Sequence, residues 1–244
     1  MTSKVLCVSG GLDSSACWWV VDRPPWFFVP QANSTPGQKE RDTVAKLGEI
    51  SPEFAAAGKI IEFDMDKMRR PGRRYPRHII LASIGFSAGW DEVLFGLHKW
   101  DPQHGEWPKT EDGIDIVQTI MLRTHYASHD LTVRYPVVHL TRVEVVKKAL
   151  ENGCPEAFLQ ATWSCQRAGE LHCGLCHNCI ERFLTFKELG LGLEGFAEKP
   201  EEGKLNLADF TAVHAYNIHN TALLRELRKL NDGKPIIIDL PVIP

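Results

Sequence analysis

The sequence predicts an α/β protein with a doubly wound, mostly parallel sheet, followed by a small four-cysteine subdomain and a helical C-terminal tail. Three observations predict it. Short apolar runs alternate with helical patterns up to about residue 160, a glycine pair follows the first run, and four of the seven cysteines crowd between Cys165 and Cys179. A chain of 244 residues can bury one good core and carry a small appended unit. The expected divisions are residues 1–160, 161–190 and 191–244.

Taken in order, Lys4–Ser9 is an apolar run ending at Gly10-Gly11, the pattern of a buried strand feeding a turn. Ser14–Val21 suits a buried helix stopped by Pro24-Pro25, and Trp26–Val29 reads as a second strand. Lys39–Leu47 has helical spacing, Lys59–Phe63 is a third strand, Arg77–Ala88 a mostly apolar helix and Glu92–Leu97 a fourth strand. Ile114–Ser128 is helical by spacing, and Leu131–Tyr135 completes the strands. Thr141-Arg142-Val143-Glu144 spells a capping box, opening a helix expected to turn Val143, Val146 and Leu150 inward and to stop at Asn152-Gly153. Leu207–Tyr216 and Thr221–Leu230 are helix candidates in the tail.

Composition narrows the function classes. With 28 Lys+Arg against 31 Asp+Glu, the formal charge of -3 argues against nucleic acid as the main partner. No apolar run approaches the roughly 18–20 residues needed to span a bilayer. The N-terminus enters an apolar strand with no signal-peptide design, so a cytoplasmic location is expected and no membrane association. An odd number of cysteines in such a chain makes a disulfide framework unexpected, and the clustering of four of them points to metal.

Val8-Ser9-Gly10-Gly11-Leu12-Asp13-Ser14-Ser15 lies where the first strand hands over to a helix, and open α/β sheets bind ligands at the carboxyl ends of strands. Two glycines let backbone close on an anion, and the helix N-terminus offers N–H groups and partial positive charge to a phosphate. Ser9, Ser14 and Ser15 add hydroxyl donors. The Walker pattern is absent, because every Gly-Lys is followed by Ile, Leu or Pro. Gly190-Leu191-Gly192-Leu193-Glu194-Gly195 spells a dinucleotide fingerprint but follows a helix instead of a strand, so it is rejected.

Cys165, Cys173, Cys176 and Cys179 have the spacing of a closed four-thiolate metal site. Zinc is preferred, with an iron–sulfur cluster the rival, and four sulfurs leave no position open for catalysis. His172 and His177 are neighbouring donors that such a shell does not need.

Ser-Gly-Gly-x-Asp-Ser resembles the pyrophosphatase loop of the N-type ATP pyrophosphatases. Together with Pro136–Val146, Thr162-Trp163-Ser164-Cys165 and Gly169–Cys179, it makes residues 4–190 resemble the 7-cyano-7-deazaguanine synthases. That resemblance implies an adenine nucleotide alpha hydrolase-like fold and ATP with Mg2+ bound at Val8–Ser15. It also implies structural Zn2+ on Cys165, Cys173, Cys176 and Cys179. The implied substrates are 7-carboxy-7-deazaguanine and ammonia, with adenylation, amide formation and a second adenylation leading to the nitrile. Asp13, commonly near magnesium in the family, Ser14 and Arg77 are the implied catalytic group, and Gln38, Gly96, Asp101, Trp107 and Glu111 the substrate contacts. Lys67, Arg69, Arg70, Arg73 and Arg74 are either further phosphate donors or a solvated charge run.

Two departures stand out. The loop from His98 to Asp112 lacks the Asp-x-Arg that the family carries after its Tyr-Pro, and the tail beyond Gly190 exceeds the usual length. The tail is a candidate cap, homodimer surface or docking segment. Three other readings remain open: a relative that stops at the amide or acts on another carboxylate or a macromolecule, a tRNA-modifying enzyme sharing the loop, and a zinc-bearing binding module without catalysis.

Overall fold

The computed structural model describes residues 3–30, 35–63, 77–98, 132–165, 169–174 and 176–197. They fall into two compact units, the first ending at Trp163 and the second beginning at Ser164.

The first unit is built on a five-stranded, all-parallel sheet of β1 (Lys4–Val8), β2 (Trp26–Phe28), β3 (Gly58–Ile60), β4 (Glu92–Phe95) and β5 (Thr132–Arg134), in the order β3-β2-β1-β4-β5. The first strand is therefore central, and the strand order reverses between β1 and β4. Helices α1 (Leu12–Val20), α2 (Thr35–Ile50), α3 (Pro52–Ala57), α4 (Arg77–Ser87), α5 (Arg142–Glu151) and α6 (Glu156–Ala161) accompany the sheet. The expected doubly wound α/β fold is what the chain adopts.

Alternation along the strands sends their side chains to two faces. On one, Leu81, Ala82 and Phe86 of α4 pack on Val5, Cys7, Phe27, Val29, Val93, Phe95 and Val133. On the other, Phe54 of α3 stacks on Trp26 of β2 with ring centres 4.5 Å apart, while Trp18 of α1 and Phe158 of α6 meet Phe54 edge-on at 5.1 Å each. Two of the buried indole N–H groups are satisfied, Trp18 donating to the Pro24 carbonyl and Trp26 to the Phe54 carbonyl, whereas the buried Trp19 indole N–H has no hydrogen-bond partner.

Most element boundaries differ from expectation by a few residues. β3 is cut from five expected residues to Gly58–Ile60, where Gly58 abuts the Trp26 ring and a Cβ would overlap it. α3 and α6 were not anticipated. α3 is nucleated locally, with Pro52 at its first position and the Ser51 hydroxyl accepting from the Phe54 amide. The capping box of α5 forms as expected: the Thr141 hydroxyl accepts from the Glu144 amide, and the Glu144 carboxylate from the Thr141 amide. Its inward face is corrected, however. Arg142, Val145, Val146 and Ala149 are buried, while Val143 and Leu150 are only partly covered. The helix ends at Asn152 and Gly153, the glycine at φ +85°.

The second unit contains α7 (His177–Leu189), which ends on Gly190 at φ +67°. That glycine serves a helix C-terminus, in keeping with rejection of the dinucleotide fingerprint. The expected helices Ile114–Ser128, Leu207–Tyr216 and Thr221–Leu230 lie outside the described residues. Among the described residues, no helix is long and apolar enough to cross a membrane.

Candidate active site and metal centre

The glycine loop leaves β1 at the point where strand order reverses, which is where ligands enter open α/β sheets. Gly10 holds φ +74°, a conformation that disfavours side chains. A Cβ there would also press on the Glu40 carbonyl and the Thr43 side chain of α2, each 3.3 Å away. Gly11 caps α1 with no side-chain hydrogen bond to the helix, so the first amides of α1 are not covered by a capping side chain. The serines brace the loop itself. Ser14 Oγ accepts from the Ser9 amide at 3.1 Å and lies 3.0 Å from Ser9 Oγ, which in turn accepts from the Gly11 amide. Ser15 is fully buried, and its hydroxyl has no hydrogen-bond partner. Val8 and Leu12 are core residues. What they can offer a ligand is backbone.

Gly96, one residue past β4, lies against the first turn of α1. A Cβ there would come 2.7 Å from Ser14 Cα and 3.0 Å from the Asp13 carbonyl. Only a glycine lets that strand end and the loop helix approach so closely.

Two residues at this site carried no assignment in the sequence reading. Arg142 opens α5 and grips Asp13 with both arms of its guanidinium, Nε to Oδ1 at 2.7 Å and Nη2 to Oδ2 at 2.8 Å. The side chains are 9% and 21% exposed, so the pair is shielded from most solvent. His98 lies beyond Gly96, with Nε2 3.8 Å from Asp13 Oδ1 and only 1% of its side chain exposed. Burial, followed by the Asp13 charge, pushes the Cys17 thiol one turn along α1 well above its ordinary value, leaving it a neutral core group. The signal for Arg142 was a cation at the start of an apolar helix, but its partner lies 129 residues away. Beside the loop, the Trp163 amide donates to the Gly10 carbonyl at 3.0 Å, and Lys39 of α2 places its ammonium over the Trp163 ring at 4.5 Å.

Gln38 falls within α2, exposed and donating to Asp42 one turn on. No contact among the described residues ties its side chain to the glycine loop. Arg77 opens α4. Lys67, Arg69, Arg70, Arg73, Arg74, Asp101, Trp107, Glu111 and the rest of residues 99–131 lie outside the described residues.

In the second unit, one sulfur from each of Cys165, Cys173, Cys176 and Cys179 lies within 4.8 Å of the others, a cluster able to hold a metal ion. Cys179 comes from the first turn of α7, Cys176 caps that helix, and Gly174 at φ +74° turns the chain between Cys173 and Cys176. Backbone amides point at the sulfurs: Cys173 donates to Cys165 Sγ at 3.5 Å and Cys176 to Cys173 Sγ at 3.3 Å. Hydrogen bonds with Cys165 and Cys176, then burial, push the Cys179 thiol far above its usual range. Four sulfurs this close cannot all ionise without a cation among them. His172 is buried with Nδ1 3.9 Å from Cys179 Sγ. Its backbone pairs with the following segment, its amide donating to the Gly195 carbonyl and its carbonyl accepting from Ala197.

Residues 71–190 match the family described as queuosine biosynthesis protein QueC. The chain is 30% identical over 133 residues to a 7-cyano-7-deazaguanine synthase of Methanosarcina mazei, covering 54% of each protein. It is 31% identical over 120 residues to the Brucella anthropi protein of that name, covering 47% of this chain and 50% of the relative. Against 7-cyano-7-deazaguanine synthase 2 of Sulfurisphaera tokodaii the identity is 29% over 149 residues, 60% of this chain and 28% of the relative. The matched part thus spans about half the length, or less, of these relatives.

Proposed function

We propose that this chain, whose residues 71–190 match the QueC family, is an ATP-dependent ligase converting 7-carboxy-7-deazaguanine and ammonia to 7-cyano-7-deazaguanine. The observation that carries the reading is the uncapped glycine loop at the reversal of strand order, in a chain similar to these synthases. A carboxylate is a poor electrophile until one oxygen becomes a leaving group. In the proposed sequence that oxygen attacks the α-phosphorus of ATP and pyrophosphate departs. Ammonia then adds to the acyl carbon, loses a proton and expels AMP to leave the amide. The amide oxygen attacks a second ATP, pyrophosphate departs, and loss of AMP and of the nitrogen's protons forms the nitrile.

Most of what the protein contributes is electrostatic. Backbone amides at Leu12–Ser14, in the first turn of α1, receive the departing pyrophosphate, where charge grows, and Ser9 and Ser14 hold the loop in shape for them. Magnesium would enter with ATP. Arg142 already occupies both oxygens of Asp13, so that carboxylate does not fit the role of a magnesium ligand in this conformation.

The cysteine cluster is read as a structural zinc site. Zinc–sulfur bonds of about 2.3 Å in a tetrahedron put sulfurs about 3.8 Å apart, and Cys173 Sγ and Cys179 Sγ are 3.8 Å apart. Zinc held by Cys165, Cys173, Cys176 and Cys179 would neutralise their thiolates and fix the turn before α7.

The test is incubation with ATP, magnesium, ammonium and 7-carboxy-7-deazaguanine, followed by mass spectrometry. The expected product is the nitrile with two AMP per turnover. An amide with one AMP would mean the second activation is missing. ATP binding without product would move the substrate to another carboxylate.

A further inference from the structure

The loop of α1 presents a contradiction that the ion pair resolves. A polyphosphate needs positive potential at the helix N-terminus, yet Asp13 places a carboxylate in the first turn of that helix. An uncovered carboxylate at this point would oppose the anion that the amides attract, and the shielding of the site would strengthen the opposition. Arg142 covers it with two charge-assisted hydrogen bonds of 2.7 and 2.8 Å. The grip is specific in a way a surface ion pair is not. Arg142 is the first residue of α5, the Thr141–Glu144 capping box fixes the start of that helix, and Val145, Val146 and Ala149 bury the same face. On the other side, Gly96 lets β4 abut the turn carrying Asp13.

We propose that Arg142 is a positioning residue of the nucleotide loop, acting through Asp13: it cancels the Asp13 charge and so sets the affinity of the loop for the pyrophosphate portion of a nucleotide. This rests on the reading of Val8–Ser15 as an ATP loop. Arg142 is not itself the group that grips phosphate, and Asp13 alone is a cost to binding, tolerated because the pair locks α1 to α5.

The experiment is isothermal titration calorimetry of the full chain with inorganic pyrophosphate, without magnesium, each variant first checked by circular dichroism and thermal melting. Removing the neutralising partner in Arg142→Ala should weaken pyrophosphate binding by about tenfold or more. Arg142→Lys keeps the charge and should hold affinity within about threefold. In Asp13→Asn the carboxylate is gone and Arg142 remains, so affinity should rise. Asp13→Asn with Arg142→Ala should return close to wild type, a rescue that a merely structural role for Arg142 would not produce. Unchanged affinity in Arg142→Ala, weaker binding in Asp13→Asn, or no rescue in the double variant would each overturn the proposal, the last by making Arg142 itself the phosphate ligand. If Arg142→Ala does not fold, Asp13→Asn and the double variant still decide. Wild-type protein that binds neither pyrophosphate nor ATP would instead overturn the loop reading, and this proposal with it.

Discussion

The two candidate sites are assembled in opposite ways. The cysteine cluster is drawn from Cys165 to Cys179, one turn of chain and one helix start, so its ligands are near neighbours in sequence. The loop site joins Asp13 to His98 and to Arg142, and the Asp13–Arg142 pair spans 129 residues. The first would need a cation to hold four thiolates together. The second balances its charges with protein groups alone. Damage should therefore be absolute in one and graded in the other.

The largest effect is expected in the cluster. Cys179→Ser should abolish stoichiometric metal, read by inductively coupled plasma mass spectrometry, and cost several kcal/mol of stability if a structural ion is lost. Chelation of the wild-type chain should act likewise: Cys165, Cys173, Cys176 and Cys179 become open to alkylation, counted by mass spectrometry. Buried Cys17, whose thiol is pushed up and stays neutral, should remain unmodified while the first unit is folded. Early labelling of Cys17 would mean that the two regions do not lose structure separately.

Next comes Gly96→Ala. The added methyl group meets backbone at 2.7 Å, so β4 or α1 must shift, at a cost of about 1–3 kcal/mol in urea unfolding. An unchanged midpoint would show that the approach is looser than described. The smallest effect is Thr141→Ala, which removes the cap that orients Arg142. About 1 kcal/mol of stability should go, with a loss of pyrophosphate affinity smaller than that of Arg142→Ala.

This contrast also explains what could be read from sequence. The cysteine ligands were legible because their spacing is itself the geometry. The central strands were legible because strands buried on both faces need continuous apolar runs, as in Val5–Val8 and Val93–Phe95. The inner face of α5 was not, for a physical reason. Pairing with Asp13 turns Arg142 inward, and helical spacing then brings Val145, Val146 and Ala149 with it. A search for apolar periodicity chooses Val143, Val146 and Leu150, because nothing local says that an arginine belongs inside. His98 was hidden similarly, buried in a stretch that reads as a polar loop. Helices α3 and α6, of six residues each, are too short to display a period, although Ser51-Pro52 was a usable start signal for the first.

The 129-residue span between Asp13 and Arg142 has a consequence for the chain as it is being made. β1 emerges early but is the middle strand, and one of its two neighbours, β4, begins only at Glu92. A chain synthesised only as far as Asp91 thus carries the glycine loop with its acidic residue bare, on a strand with one side unpaired. The arginine that completes it arrives only after β5, the last of the described strands, has been translated. If Val8–Ser15 is the nucleotide loop proposed above, an unfinished chain should bind nucleotide weakly until the sheet can close.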